Sequence, residues 1–166
     1  AAETHIVVPL FKNITTVVDG SPVLVPRTLE SIDQLDKSSG GVGCRYIYNG
    51  ILEDKRIEPA EEFHYAVLTK DLLPGSRGKN YAAHKALVES KGYEMPPVLD
   101  VVTAILWENR RTGERLLGDN PLTYTRCREK IEEWRPIVGG FAPGGLDVCK
   151  SRCDRDSVGV VGFRKF

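Results

Sequence analysis

Two cysteines near the C-terminus form the cluster of side chains in this sequence that is best suited to chemistry. Cys149 and Cys153 enclose the three residues Lys150-Ser151-Arg152. Because positive neighbours stabilise a thiolate, this arrangement predicts thiols with thiolate character. The spacing is not the Cys-x-x-Cys of dithiol redox motifs, and the remaining cysteines and histidines show no zinc-ligand spacing around the pair. We therefore expect no metal site, and the cysteines fit either free thiols or one disulfide.

The cysteine pair lies in a polar stretch, residues 147–157, in which Val148 is the single apolar residue. A stretch of this composition contributes little to a core, so we expect its side chains to face water or a ligand. An ordinary surface loop and a ligand-binding surface both fit this composition.

The rest of the sequence contains no recognisable catalytic motif. No serine lies in a Gly-x-Ser-x-Gly turn, and the three histidines all lie within the first 84 residues. His84 falls on the apolar face of a predicted helix, where a histidine is usually packed and hydrogen-bonded rather than a base. These patterns assign no catalytic residue.

Composition limits the class of protein and its partners. The 166 residues carry 23 basic and 23 acidic side chains, and the pI is near 7.0. This balance argues against a nucleic-acid partner, which would require a basic surface. The longest apolar runs are too short to cross a bilayer core of about 30 Å, so we expect no membrane insertion. The length predicts a single domain over residues 1–166.

Strand patterns dominate both ends of the chain, and helical patterns occupy its middle. β-branched and aromatic clusters predict strands at residues 6–8, 15–18, 23–25, 44–48, 63–69, 124–127 and 137–138, and a closing strand at 158–166. Apolar spacing predicts helices at residues 29–35, 81–91 and 96–111. This order of elements indicates an α+β fold.

Local signals refine several of these elements. Asp19-Gly20 predicts a hairpin turn between two strands. Asn80 is suited to cap the second helix and Gly92 to end it. Pro96-Pro97 is expected to open the third helix, whose apolar residues cover more than one stripe and predict burial on most sides.

The order and spacing of three motifs carry a resemblance to a known family. Tyr93-Glu94-Met95-Pro96 leads into a helix, Val138-Gly139-Gly140-Phe141 follows, and Gly162-Phe163-Arg164 closes a polar run. Over residues 93–166 the chain resembles the C-terminal half of formylglycine-generating-enzyme-like domains. It is also similar to the variable proteins of diversity-generating retroelements of phage or archaeal-virus type. The resemblance implies a C-type lectin fold with two central helices and short, irregular antiparallel strands.

The similarity to variable proteins implies a non-catalytic, receptor-recognition function. In such proteins adenine-directed mutagenesis changes ligand-facing positions while the scaffold stays fixed. The resemblance places the variable ligand-binding region at about residues 139–160. It implies a protein or cell-surface ligand, no cofactor, and a location on a virion or cell surface, and it leaves the oligomeric state open. The implied variable positions are Asp147, Cys149, Ser151, Arg152, Cys153, Arg155 and Ser157.

The similarity to formylglycine-generating enzymes implies the alternative, a copper-dependent thiol oxidase in which Cys149 and Cys153 bind the metal. The spacing of the thiol pair departs from that family's pattern by one residue, and the family's tryptophan-rich and arginine-rich surroundings are missing. Since soft-metal geometry tolerates little displacement of a ligand, the binding protein is the favoured hypothesis.

Overall fold

The computed structural model describes residues 4–59, 61–151 and 153–166. Its helices are α1 (Leu29–Ser38), α2 (Asn49–Leu52), α3 (Tyr81–Ser90) and α4 (Val98–Thr112). Its strands are β1 (His5–Phe11), β2 (Asn13–Val18), β3 (Ser21–Pro26), β4 (Cys44–Ile47), β5 (Phe63–Thr69), β6 (Tyr124–Arg126), β7 (Arg135–Ala142), β8 (Gly145–Ser151), β9 (Val158–Gly159) and β10 (Phe163–Lys165). The fold is mixed α and β, in agreement with the broad class that the sequence predicts.

The described strands form two main sheets and a separate hairpin. The first sheet has the order β1-β5-β10 and is antiparallel. The second has the order β4-β8-β7-β6-β9. Strands β2 and β3 pair only with each other, and the turn at Asp19-Gly20 joins them as the sequence predicts. Both turn residues have positive φ, 49° and 78°, as a tight hairpin turn requires.

Helix α4 lies at the centre of the core, against α1, β1, β5 and β7. The prediction that it is buried on most sides is confirmed, because nine of its 15 residues are buried. The helix begins at Val98 rather than at Pro96, since Pro97 has the extended backbone of an N-cap residue. The Val98 N–H donates to the Glu129 carboxylate at 3.1 Å, so a distant acidic side chain caps the helix.

Helix α3 follows its sequence signals closely. The Asn80 side chain accepts a hydrogen bond from the Ala83 N–H at 2.9 Å, and Gly92 follows the helix with a φ of 77°. His84 is fully buried and its Nε2 lies 2.7 Å from the carbonyl oxygen of Ser76. The expectation of a packed, hydrogen-bonded histidine is therefore confirmed.

Three predictions for the C-terminal third are wrong. The stretch 147–157 is not uniformly exposed, because β8 enters the second sheet and buries Leu146, Asp147 and Val148. The predicted antiparallel pairing also fails for two strand pairs, since β4 runs parallel to β8 and β6 runs parallel to β9.

The third error concerns the closing strand, which the sequence predicts as one piece over 158–166. It is two strands in different sheets, β9 beside β6 and β10 beside β5. Between them the N–H groups of Val160 and Val161 donate to the hydroxyls of Ser76 and Thr125. Because side chains satisfy these two buried amides, the chain can cross from one sheet to the other without ladder hydrogen bonds.

No helix among the described residues has the length and apolar content needed to cross a membrane.

Candidate functional site

The hairpin of β7 and β8 is the framework of the candidate site. Ile137 on β7 lies opposite Cys149 on β8, and Ala142 pairs with Gly145 across a two-residue turn. Gly145 has a φ of 132°, and a Cβ added there would lie 2.6 Å from the backbone nitrogen of Arg45. A side chain would therefore push β4 away from β8.

The Gly139-Gly140 pair brings β6 unusually close to β7. A Cβ on Gly139 would lie 2.1 Å from the carbonyl oxygen of Thr123, and one on Gly140 would lie 2.6 Å from the Tyr124 hydroxyl. Both contacts are far shorter than van der Waals distance, so only glycine fits at these positions. The glycine pair, noted in the sequence as part of a motif, thus sets the position of Tyr124 beside β8.

A cleft of about 320 Å³ opens between β6, β7, β8 and the segment that follows β8. We call it the C-terminal cleft, and its lining is Leu122, Tyr124, Ile137, Cys149, Lys150, Ser151, Cys153, Arg155, Ser157 and Val158. Five of the seven positions predicted from the sequence line it: Cys149, Ser151, Cys153, Arg155 and Ser157. The structure therefore brings most of the predicted set to one concave surface.

Two of the predicted positions differ from these five. Arg152 lies outside the described residues. Asp147 is 6% exposed, and Arg45 Nε and Nη2 donate to its two carboxylate oxygens at 3.1 and 2.5 Å. A nearly buried carboxylate with a bidentate arginine partner holds β4 against β8, so the structure places Asp147 in the framework and not on the cleft wall.

The segment after β8 is anchored by hydrogen bonds from two arginines outside it. Arg126 is 4% exposed and donates to the Asp154 carboxylate at 2.9 Å. Arg77 donates to the carbonyl oxygen of Asp156 at 3.1 Å and to the Thr123 hydroxyl at 2.9 Å. These contacts fix the backbone of residues 153–157 and leave the lining side chains free to face the cleft.

Among its described lining residues the cleft has two basic side chains, one of which is engaged by a neighbouring tyrosine. Of its two basic side chains, Lys150 donates to the Tyr48 hydroxyl at 3.0 Å and lies over the Tyr48 ring. Arg155 is exposed, and its Nε donates to the Cys153 sulfur at 3.2 Å. Within the described part of the chain, no acidic side chain lines this cleft.

The expected thiolate character is wrong for Cys149. Burial raises the pKa of this thiol to about 11, and the charge of Asp147 adds to the effect more than Arg45 offsets it. Burial likewise raises the pKa of Tyr124 to about 12, with contributions from Cys149 and Asp147. Both groups are therefore neutral at pH 7, and the floor of the cleft is uncharged.

The free-thiol alternative holds for all four cysteines, none of which is in a disulfide. Among residues 4–59, 61–151 and 153–166, no three His, Cys, Asp or Glu side chains are grouped so that they could hold a metal ion.

A second, smaller cleft of about 90 Å³ lies at the amino end of α4, and we call it the helix-end cleft. Asp100 lies at its inner side, where it accepts hydrogen bonds from Arg27 Nη2 at 3.0 Å and His64 Nε2 at 3.3 Å. Arg27 also donates to the Phe11 carbonyl and to the Thr103 hydroxyl. All three members of this Arg27–Asp100–His64 cluster are buried.

The sequence analysis did not identify the apolar residues that line the C-terminal cleft, Leu122, Ile137 and Val158. It also did not identify the two arginines that anchor the segment after β8, Arg77 and Arg126. An arginine within a predicted strand is the one available signal for Arg126. Comparisons of this chain with protein-family models, with curated proteins and with solved structures each found no match.

Proposed function

We propose that this protein is a non-catalytic, receptor-recognition protein whose C-terminal cleft binds a protein or cell-surface ligand. The observation that carries the proposal is the convergence of Cys149, Ser151, Cys153, Arg155 and Ser157 on one cleft. A ligand-binding site requires side chains that converge on one concave surface, and the side chains of an ordinary surface loop do not converge in this way.

The way the segment is held supports diversification of the same surface. The anchoring side chains, Arg77 and Arg126, lie outside the predicted variable set, and Asp154 and Asp156 complete the anchor. Substitutions at the lining positions therefore change the ligand contacts without removing the anchor. A rigid backbone also avoids the entropy cost of ordering a loop on binding.

The proposed scaffold is the C-type lectin fold displaying a hypervariable surface, diversified by a retroelement. Two features support it. The first and last of the described strands, β1 and β10, flank the same strand β5 and so lie in one sheet. Helices α3 and α4 lie between this first part of the chain and the glycine-rich β7–β8 hairpin, in the order that the resemblance implies. On this proposal the protein belongs on a virion or cell surface.

The nucleotide sequence of the gene and its flanks tests this proposal. We expect a template repeat that differs from the region encoding residues 139–160 only at adenines, together with a reverse-transcriptase gene. Substituted codons should fall at the cleft-lining positions and spare those of Asp147 and Asp154, whose carboxylates hold the framework. Flanks without such a repeat would overturn the retroelement proposal.

A copper-dependent thiol oxidase is the second candidate, because Cys149 and Cys153 line the same cleft. The residues fit this function poorly, since copper requires thiolates and burial raises the pKa of Cys149 to about 11. Copper titration of the reduced protein tests it. Stoichiometric binding that is lost in Cys149→Ser and in Cys153→Ser would favour the oxidase over the binding protein.

A further inference from the structure

We infer that the C-terminal cleft recognises a segment of a protein partner in which an acidic side chain adjoins an apolar one. This inference rests on the proposed binding function of the cleft and specifies the chemistry of its ligand.

The expected acidic side chain of the ligand follows from a basic side chain in the cleft that has no carboxylate partner among the described residues. Lys150 is committed to Tyr48 through a hydrogen bond of 3.0 Å. Arg155 makes one contact through Nε, and its terminal nitrogens form no hydrogen bond within the described part of the chain. A guanidinium presents paired donors whose spacing matches a carboxylate. The two terminal nitrogens of Arg155 are therefore available to bind a carboxylate at the mouth of the cleft.

The expected apolar side chain of the ligand follows from the uncharged floor of the C-terminal cleft. Leu122 is 46% exposed and supplies most of the aliphatic surface of the lining, while Ile137 and Val158 are buried beneath it at 8% and 2% exposure. Tyr124 and Cys149 stay neutral at pH 7, because their pKa values are raised to about 12 and about 11. A charged group on this floor would lose hydration without gaining a counter-ion. An apolar side chain gains from burial at the same place.

The charge count favours a carboxylate over a phosphate. Among the described residues that line the cleft, Arg155 is the one guanidinium, and it neutralises the single charge of a carboxylate, whereas a phosphate monoester carries about 1.5 to 2 negative charges at pH 7. The excess charge would lie beside a floor that disfavours anions, as the raised pKa of Cys149 indicates. The ligand is thus an acidic protein segment and not a phosphorylated one.

Two capped dipeptides that differ only in the carboxylate test the inference. N-acetyl-Leu-Asp-amide and N-acetyl-Leu-Asn-amide are titrated separately into the full chain, and binding is followed by amide chemical shifts in NMR. We expect the Asp peptide to bind about two- to fivefold more tightly, the range typical of an exposed ion pair. The shifts should be largest for residues that line the C-terminal cleft. The preference should shrink as the ionic strength rises from about 0.01 M to about 0.15 M.

Variants assign the preference to Arg155. Arg155→Gln should bind both peptides equally, and Arg155→Lys should retain part of the preference. Arg164→Gln is the matched control, because Arg164 is also exposed but lies on β10 in the other sheet, and it should leave the preference unchanged. Since Arg155 and Arg164 are both exposed, the variants should keep the melting temperature of the parent.

Equal binding of the two peptides, absence of binding by both, or a preference that survives in Arg155→Gln would each overturn the inference. A phosphoserine-containing peptide that outcompetes the Asp peptide would also overturn it. None of these results bears on the template repeat in the gene, so failure of this inference is distinguishable from failure of the proposed function.

Discussion

The Arg27–Asp100–His64 cluster beside the helix-end cleft is buried, and Asp100 bonds to both of its partners, whereas Arg155 in the C-terminal cleft is exposed and donates to the Cys153 sulfur. The side chain of Arg27 is 2% exposed and that of Asp100 is 10% exposed. A charge buried to this extent requires its partner, because water cannot replace it. An exposed arginine keeps its hydration and can exchange it for a ligand. The buried cluster therefore stabilises the fold, whereas Arg155 is accessible from solvent.

The C-terminal hairpin repeats this contrast over a few residues. Asp147 is buried against Arg45, while Ser151, on the same strand and two side-chain repeats away, reaches the cleft. A single strand thus passes from framework to cleft lining within β8. Substitutions at these sites should separate the two roles by the size of their effect on stability.

The largest effect is expected for Asp100→Asn. The variant leaves the buried Arg27 guanidinium without a charged partner, and we expect the free energy of unfolding to fall by about 3–5 kcal/mol. Urea denaturation measures it. The double variant Arg27→Met, Asp100→Leu is the control, and it should lose less than the single variant because no buried charge remains unpaired. A loss below about 1 kcal/mol in Asp100→Asn would show that the cluster is not structural.

A smaller loss is expected for Asp147→Asn. Arg45 loses a charged bidentate partner, but half of its side chain is exposed and water can partly replace the carboxylate. We expect about 1–2 kcal/mol of destabilisation in the same measurement. Ser151→Ala on the same strand is the matched control, with little expected change. If the two variants proved equally stable, Asp147 would return to the ligand-facing set.

A pH-dependent effect of intermediate size is expected from His84. Burial lowers the pKa of this imidazole, and the nearby charge of Arg126 acts in the same direction against the hydrogen bond to Ser76. Below the unfolded pKa of about 6.5 the unfolded chain binds a proton more readily than the native protein, so stability falls as the pH decreases. This contribution is fully present above that pH.

Comparison of the parent with His84→Gln between about pH 7.5 and pH 5.5 isolates this contribution. The glutamine side chain can still donate to the Ser76 carbonyl but does not titrate. The parent should lose more stability than the variant over this interval. Parallel profiles would mean that His84 keeps the same pKa in the folded and unfolded chains.

The smallest effect is expected for the double variant Ser151→Ala, Arg155→Ala. Both residues line the C-terminal cleft, and the two arginines that anchor the segment are unchanged, so the variant loses only exposed contacts such as the Ser151 hydroxyl bond to the Cys153 carbonyl. Each substitution should change the free energy of unfolding by no more than about 0.5 kcal/mol. Thermal unfolding monitored by circular dichroism measures it. A large loss of stability would place these residues in the framework and contradict the comparison between the two clefts.

Much of the fold was predictable because its signals are local. The hairpin turn at Asp19-Gly20, the Asn80 cap and the Gly92 stop depend on backbone conformations that neighbouring residues favour, and all three are confirmed. The buried helix α4 was predictable from its run of apolar residues. Strand β8 was not, because the burial of Asp147 depends on Arg45, which is 102 positions away in the sequence.

The protonation state of Cys149 also depends on contacts that cannot be read from neighbouring residues in the sequence. The sequence places Lys150 beside Cys149 and so predicts a stabilised thiolate. In the structure the Lys150 ammonium donates to the Tyr48 hydroxyl instead. Burial and the charge of Asp147 then raise the pKa of Cys149. The residues adjacent to Cys149 in the sequence therefore did not predict which charges act on its pKa.

The sequence by itself determined the broad class of the fold, most helix and strand positions, and a set of polar C-terminal residues of which five line one cleft. These features depend on residue type and spacing, which are read along the chain. The tertiary structure alone decided which charges are paired, which thiol is buried, and that Asp147 belongs to the framework while Arg155 is available to a ligand. Burial and ion pairing depend on contacts between distant residues, and those contacts exist only when the chain is folded.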